Sequence, residues 1–215
     1  MKKTICIVGA GDMSGTRLVI PTGAAIIAAD GGLSYLEKAG ISPDLILGDF
    51  DSLGRIPEGE NVLPLNPEKD DTDMLVAVKM ALEMGAEVLV IYGGLGGRFD
   101  HSLANLQVLA FIANHGARGY LVGCGSVCTA FKNGGIAFDE AMSGTVSVFS
   151  VGEIAQGVDL VGLKYPLHGY TLTNDTPLGV SNEFLGAPAS VSVGDGMLWV
   201  MWSGDSYAPE HFSQV

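Results

Sequence analysis

Val88-Leu89-Val90-Ile91, followed by Gly93-Gly94-Leu95-Gly96-Gly97-Arg98-Phe99-Asp100-His101, decides how the first half of the chain is read. Four consecutive apolar residues, three of them β-branched, suit a strand buried on both faces of a parallel sheet. Glycines end the run. Over residues 102–114 the apolar side chains then recur at helical spacing, with Leu103, Leu106, Ala110 and Ala113 on one face. The same alternation extends upstream. Ile5-Cys6-Ile7-Val8 ends at Gly9, and Ala24 to Ala29 ends at Asp30-Gly31-Gly32. A short helix is expected over 33–39, closed by Gly40. Leu45-Ile46-Leu47 ends at Gly48-Asp49, and a loop containing Pro57, Gly59, Pro64 and Pro67 follows. Residues 72–84 carry the stripe Met74, Leu75, Val78, Ala81 and Leu82, with Gly85 at the stop. Tyr120-Leu121-Val122 closes the series. Strand and helix in alternation predict an α/β fold: a mostly parallel, Rossmann-like α/β/α domain with helices on both faces of the sheet.

The texture changes at Gly123-Cys124-Gly125. Beyond it there is no helical period, only short runs rich in Val, Phe, Thr and Ser: 126–131, 135–138, 145–151, 158–163, 170–173, 189–193 and 197–202. Gly, Asn, Asp and Pro separate them, which predicts an all-β sandwich. The expected domains are therefore 1–124, α/β, and 125–215, all-β. The polar tail from Tyr207 to Val215 is expected to fray.

Composition bounds the function. Eleven Lys plus Arg against 24 Asp plus Glu give a net charge of −13, which disfavours nucleic acid, whose phosphates attract basic faces. An apolar share of 47% with 16% charged residues argues against intrinsic disorder. The 31 glycines have no three-residue period, so they read as turns and not as collagen. Cys6, Cys124 and Cys128 lack a metal-ligand spacing and read as thiols of a reducing cytoplasm. The opening Met1-Lys2-Lys3 and its apolar run stop at Gly9, too early for a signal peptide. No stretch is long and apolar enough for a membrane span.

In an open parallel sheet ligands bind beyond the carboxyl ends of the strands, and the carboxylates gather there. Asp30 follows the second strand, and Asp49 and Asp51 follow the third. Asp70, Asp71 and Asp73 open the helix at 72, and Asp100 opens the helix at 102. Helix capping and turns account for any one of these. Capping uses one side chain, however, and three acids in four positions repel unless a cation offsets them. Asp49 and Asp51 flank Phe50, so on an extended segment both side chains leave the same side. Such hard oxygen donors suit Mg²⁺, which keeps room for water and phosphate oxygens. The Gly93–Arg98 loop offers the counter-charge, through backbone N–H groups at a helix start and the planar fork of Arg98. No Walker A sequence occurs there. Gly9-Ala10-Gly11-Asp12-Met13-Ser14 is an incomplete dinucleotide fingerprint, with Ser14 where a third Gly or Ala belongs, which disfavours NAD. His101 adjoins Asp100, but a lone His opening a helix is more often a structural hydrogen-bonder. No Ser–His–Asp or Cys–His arrangement is evident.

Taken in order, Ala29-Asp30-Gly31-Gly32, Gly48-Asp49-Phe50-Asp51-Ser52, Asp70-Asp71-Thr72-Asp73 and the Gly93–His101 loop resemble the thiamine pyrophosphokinase family. Gly162-Leu163-Lys164-Tyr165-Pro166-Leu167 and Gly179-Val180-Ser181-Asn182-Glu183 extend the resemblance into the β-rich half. It implies an α/β domain followed by a β-sandwich, and Mg²⁺-dependent transfer of a diphosphoryl group from ATP to the hydroxyl of thiamine. The products would be thiamine diphosphate and AMP. It also implies a homodimer with active sites at the subunit interface. Asp49, Asp51 and Asp73 match the family's Mg²⁺ and phosphate aspartates. Asp30, Thr72 and Arg98 match positions near the nucleotide, and Asp100 matches an acid of the same loop, the candidate to take the hydroxyl proton. Tyr165, Ser181 and Asn182 match segments lining the thiamine pocket. Some members carry Trp where this chain has Tyr165, and position 71 is a different polar residue elsewhere, so whether Asp71 joins the metal site stays open. Two rival readings suit the same residues: a Mg²⁺-dependent phosphatase with an aspartyl nucleophile, and a non-enzymatic nucleotide-sensing module.

Overall fold

The five apolar runs of the first half become parallel strands, and a sixth joins them. They are β1 (Thr4–Val8), β2 (Ala25–Ala29), β3 (Leu45–Gly48), β4 (Val62–Pro64), β5 (Val88–Tyr92) and β6 (Arg118–Gly123). This is seen in a computed structural model that describes residues 2–68 and 70–215, leaving Met1 and Lys69 outside the described residues. The strand order is β4-β3-β2-β1-β5-β6, each pair parallel. β1, β2, β5 and β6 are buried along nearly their whole length, as expected for strands covered on both faces. β4 lies in the segment read as a loop. It is three residues long, ends at Pro64 and sits at the edge of the sheet, where the missing N–H of proline is tolerated.

Three helices connect these strands: α1 (Gly32–Ala39), α2 (Asp73–Glu83) and α3 (Phe99–Asn114). Gly40 closes α1 in the left-handed conformation that a side chain resists. Thr72 caps α2, its hydroxyl accepting the Leu75 N–H at 3.2 Å. α3 begins three residues earlier than its periodicity suggests, so Asp100 and His101 lie inside its first turn. Its buried face also differs from the expected stripe. Asn105, Val108, Leu109 and Ile112 are buried, while Leu103 is 47% exposed. Phe99-to-Asn114 is apolar on several faces at once, and a spacing rule then fails to single out the one that packs.

The chain falls into two units, Met1–Gly125 and Ser126–Val215. The second is antiparallel: β7 (Ser126–Phe138), β8 (Thr145–Ser150), β9 (Ile154–Val161), β10 (Leu167–Thr173), β11 (Gly179–Glu183), β12 (Ala189–Ser203) and β13 (Phe212–Gln214). Two pairs of expected runs merge, 126–131 with 135–138 into β7 and 189–193 with 197–202 into β12. The junction in β12 is a register shift between Val193 and Met197, with Gly196 at φ 118°. Before the shift β12 pairs with β9, and after it with β8, while β7 runs alongside both parts. The tail is ordered, contrary to the expectation of fraying. Phe212–Gln214 pairs with β7, and Tyr207 is buried against Phe212 with ring centroids 5.7 Å apart. The tail's aromatics supply the contact that its polar residues concealed.

The whole is a mixed α/β fold with extensive sheet and few helices. Among the described residues no helix is long and apolar enough to cross a membrane. The three cysteines are free thiols; burial pushes the Cys6 thiol up to about 12, so it stays protonated and inert.

Candidate active site

The sheet order reverses at β1, whose neighbours are β2 and β5, and the loops beyond β1, β2, β3 and β5 line one cavity of about 500 Å³. Its floor is backbone packed on backbone. Gly9 N–H donates to the Tyr92 carbonyl and Gly11 N–H to the Gly93 carbonyl, both at 2.8 Å. A Cβ at Gly11 would lie 2.5 Å from the Gly93 oxygen, and one at Gly93 only 2.2 Å from the Gly9 oxygen. The Gly-Ala-Gly segment thus serves close packing of β1 against β5. Tyr92 secures the loop after β1, its buried hydroxyl donating to the Val19 carbonyl at 3.0 Å.

The glycine loop is fastened from α3. The Asn105 amide donates to the Gly94 carbonyl at 2.7 Å, and the Ser102 hydroxyl accepts the Gly96 N–H at 3.2 Å. Sequence reasoning missed Asn105. Its signal was a polar residue inside the apolar run Leu103-Ala104-Asn105-Leu106, buried to 8% exposure in the structure.

Asp30, Asp49 and Asp51 come together. One carboxylate oxygen of each lies within 4.8 Å of the others. Asp49 and Asp51 do not reach this place by extended alternation. Phe50 between them is buried and left-handed at φ 62°, so the segment turns around its ring. Asp30 is left-handed too, at φ 49°, with its N–H donating to the Leu47 carbonyl at 2.8 Å. Its side chain is 8% exposed, and its buried Oδ1 accepts no hydrogen bond. A buried carboxylate oxygen without a donor, facing two more carboxylates, calls for a cation. Hard oxygen donors suit a divalent ion of the Mg²⁺ type.

Asp73 and Thr72 at the start of α2 line the same cavity, and so does Arg98, but Asp73 lies outside the close group of three. Asp71 is ion-paired to Lys79 two turns along α2. Asp100 does not line the cavity. It is mostly exposed, and its carboxylate takes the Arg98 guanidinium through two nitrogens at 2.7 and 3.3 Å. That hydrogen bond holds the Asp100 carboxyl below the usual carboxylate range, which makes it a weak base. His101, not Asp100, faces the cavity from this turn.

In the second unit a smaller cavity of about 230 Å³ is lined by Leu160, Tyr165, Leu167, Leu178, Val180 and Asn182. Tyr165 is 58% exposed, whereas Asn182 is buried. Ser181 lies beside this lining, left-handed at φ 57°, its N–H donating to the Ser147 hydroxyl at 3.0 Å.

The parallel unit, with its ligand corner at the strand switch, places the chain among α/β proteins that bind ligands beyond the carboxyl ends of their strands. Comparison with known proteins narrows the class. Residues 17–121 match the family description "Thiamin pyrophosphokinase, catalytic domain", and residues 136–198 match "Thiamin pyrophosphokinase, vitamin B1 binding domain". The thiamine pyrophosphokinase of Bacillus subtilis is 31% identical over 186 residues, covering 83% of this chain and 87% of that one. Thiamin pyrophosphokinase 1 of Caenorhabditis elegans is 27% identical over 170 residues, covering 73% and 70%. The crystal structure of the B. subtilis protein superposes with a TM-score of 0.83 at 29% identity, over 94% of this chain and 100% of that one. The fold persists in the Candida albicans protein at 13% identity, with a TM-score of 0.71 over 93% and 90%. The chain belongs to the thiamin pyrophosphokinase family of enzymes.

Proposed function

We propose that the chain transfers the diphosphoryl group of ATP to the hydroxyl of thiamine, giving thiamine diphosphate and AMP. The observation that carries this reading is the single cavity shared by Asp30, Asp49, Asp51, Arg98 and the glycine loop, in a chain of this family. The hydroxyl oxygen bonds to the β-phosphorus of ATP. The bond from that phosphorus to the oxygen bridging the α- and β-phosphates breaks, AMP leaves, and the hydroxyl proton passes to solvent. Asp30, Asp49 and Asp51 would hold Mg²⁺, with Asp73 reaching in from α2; the ion, when bound, neutralises phosphate charge. Arg98 and the N–H groups of the glycine loop bind phosphate oxygens and orient the β-phosphorus for in-line attack. Thr72 borders the nucleotide. Asp100 acts through Arg98, holding its fork in place; the lowered Asp100 carboxyl supports this role over that of a base.

In the second unit Tyr165 offers an aromatic face to a flat cation, with Ser181 and Asn182 beside it. The finer architecture belongs to the same reading: a Rossmann-like catalytic domain, 1–124, and a thiamine-binding β-sandwich, 125–215. So do a cytoplasmic location, supported by the free thiols, and a homodimer. An aspartyl-nucleophile phosphatase or a sensing module leaves the vitamin B1 match at 136–198 without a role. One reaction tests the proposal: protein, ATP, Mg²⁺ and thiamine, with nucleotides resolved by chromatography. Equal amounts of AMP and thiamine diphosphate, abolished by a chelator, are expected. ADP with thiamine monophosphate would overturn the diphosphoryl step.

A further inference from the structure

The segment Leu163–Tyr165 carries the exposed ring at the lip of the second cavity, yet it belongs to no strand. Four contacts tie it to Asn182–Phe184. Leu163 forms a single antiparallel bridge with Phe184. The Lys164 N–H donates to the Glu183 carbonyl at 3.1 Å, and the Lys164 ammonium pairs with the Glu183 carboxylate at 2.8 Å. The fourth contact is of another kind. The Asn182 side chain takes both main-chain groups of Tyr165: its Oδ1 accepts the Tyr165 N–H at 2.9 Å, and its Nδ2 donates to the Tyr165 carbonyl at 2.7 Å. The same Oδ1 also accepts the Glu183 N–H at 2.9 Å. The amide therefore imitates the missing neighbour strand and extends the ladder by one residue.

We infer that Asn182 is a positioning residue for the acceptor substrate: its buried amide fixes the Tyr165 backbone, and so the aromatic face, at the mouth of the cavity. The inference rests on thiamine being the acceptor, and it changes what Asn182 does. Most of the hydrogen-bonding capacity of this side chain is already committed to the main chain, at 3% exposure, so although it borders the cavity it serves the ligand through its hold on Tyr165. The ring needs such a hold. One face has the Lys164 ammonium 5.5 Å from the ring centroid, so a cationic ligand must take the remaining face, and a loosely held Tyr165 would present either.

Asn182→Asp is the sharpest variant, because it keeps the shape and the oxygen that accepts the Tyr165 and Glu183 N–H groups but replaces the donor to the Tyr165 carbonyl with an acceptor. It is expected to raise the KM for thiamine about tenfold, the size of one lost buried hydrogen bond, with kcat and the KM for ATP little changed. Tyr165→Ala raises the same KM. In the Tyr165→Ala background Asn182→Asp should then add almost nothing. A purely structural role would lower thermal stability and move all constants together. Additive effects in an active enzyme would overturn the inference and leave the functional reading intact. A wild-type protein that makes no thiamine diphosphate would overturn both. Amide hydrogen exchange on the unsubstituted chain needs no variant: the Tyr165 N–H should be protected, and exchange at the free-peptide rate would sink the proposal.

Discussion

Backbone packs on backbone at the carboxylate corner of the parallel unit. A Cβ at Gly32 would lie 1.9 Å from the Val8 oxygen, and at Gly48 2.9 Å from the Asp30 Cα. The aspartates stand on this floor, and Asp49 and Asp51 are themselves only partly buried or exposed. At the Tyr165 corner of the antiparallel unit the arrangement is inverted, since a buried side chain holds an otherwise unpaired piece of main chain. The first corner is damaged by adding a methyl group, the second by altering an amide. A site that must gather several anions gains from backbone donors that cannot swing away, whereas a site that must present one ring needs only one well-placed clamp.

The largest expected effect comes from adding the methyl. Gly93→Ala would place its Cβ 2.2 Å from the Gly9 oxygen, at a backbone φ of 63° that alanine resists. Strain and overpacking together should cost about 3 kcal/mol or more, lowering the melting temperature by roughly 6–12 °C. Turnover should be lost with it. A melting temperature equal to wild type would show that β1 and β5 can part without harm, and the contrast between the corners would fall.

Next come the carboxylates, where chemistry and stability should separate. Asp49→Asn should lower kcat/KM by about 100-fold or more while leaving the fold intact. Asp30→Asn should also lower activity, yet raise the melting temperature measured without divalent ions, because it removes a buried charge that lacks a donor. Added Mg²⁺ should stabilise wild type and not Asp30→Asn. If Mg²⁺ shifts both proteins equally, the close group of three does not hold the ion.

The strands and the aspartate positions were legible because apolar runs ending in glycine mark the carboxyl ends of parallel strands. Ile5–Val8, Leu45–Leu47 and Val88–Tyr92 all end that way. What holds those ends together was not legible. Nothing in the run around Asn105 states that its amide faces Gly94, because α3 is apolar on more than one face and the packed face depends on tertiary contact. Asp49 and Asp51 converge through a left-handed Phe50, and an alternation rule cannot foresee that a bulky residue will adopt φ 62° to bury its ring. The clamp on Tyr165 spans 17 residues of sequence, and neither partner carries a local signal of the other.

Asn105→Leu sharpens the comparison from within the first corner, for here a side-chain amide does fasten backbone. The substitution leaves the Gly94 carbonyl without its donor and frees that end of the glycine loop. The KM for ATP should rise about tenfold, the size of one lost buried hydrogen bond, with the KM for thiamine steady. If instead the thiamine constant moves, the glycine loop is not a phosphate cradle and the division of labour between the corners fails.

The smallest effect lies at the tail, where a pair of side chains joins two segments in the open. His211 Nδ1 lies 2.9 Å from the Asp139 carboxylate, and the Asp139 N–H donates to the His211 carbonyl at 3.0 Å. The carboxylate lifts the His211 ring above its ordinary value, with Glu210 adding to the lift, and the ring in turn holds the Asp139 carboxyl down. A raised histidine contributes stability that is full below its unfolded value of about 6.5 and is lost as pH rises through the folded one. A depressed carboxyl contributes above its unfolded value of about 3.9 and loses that as pH falls through the folded one. The pair is therefore worth most between about pH 4 and 6.5. The melting-temperature difference between wild type and His211→Gln should be greatest near pH 5 and shrink as pH rises through the raised His211 value, and added salt should reduce it, because both groups are well exposed. A difference that holds constant with pH would assign the tail's attachment to its aromatic contacts and β13 alone. Burial, and not the mere presence of a side-chain fastener, would then be what distinguishes the Asn182 clamp from this one.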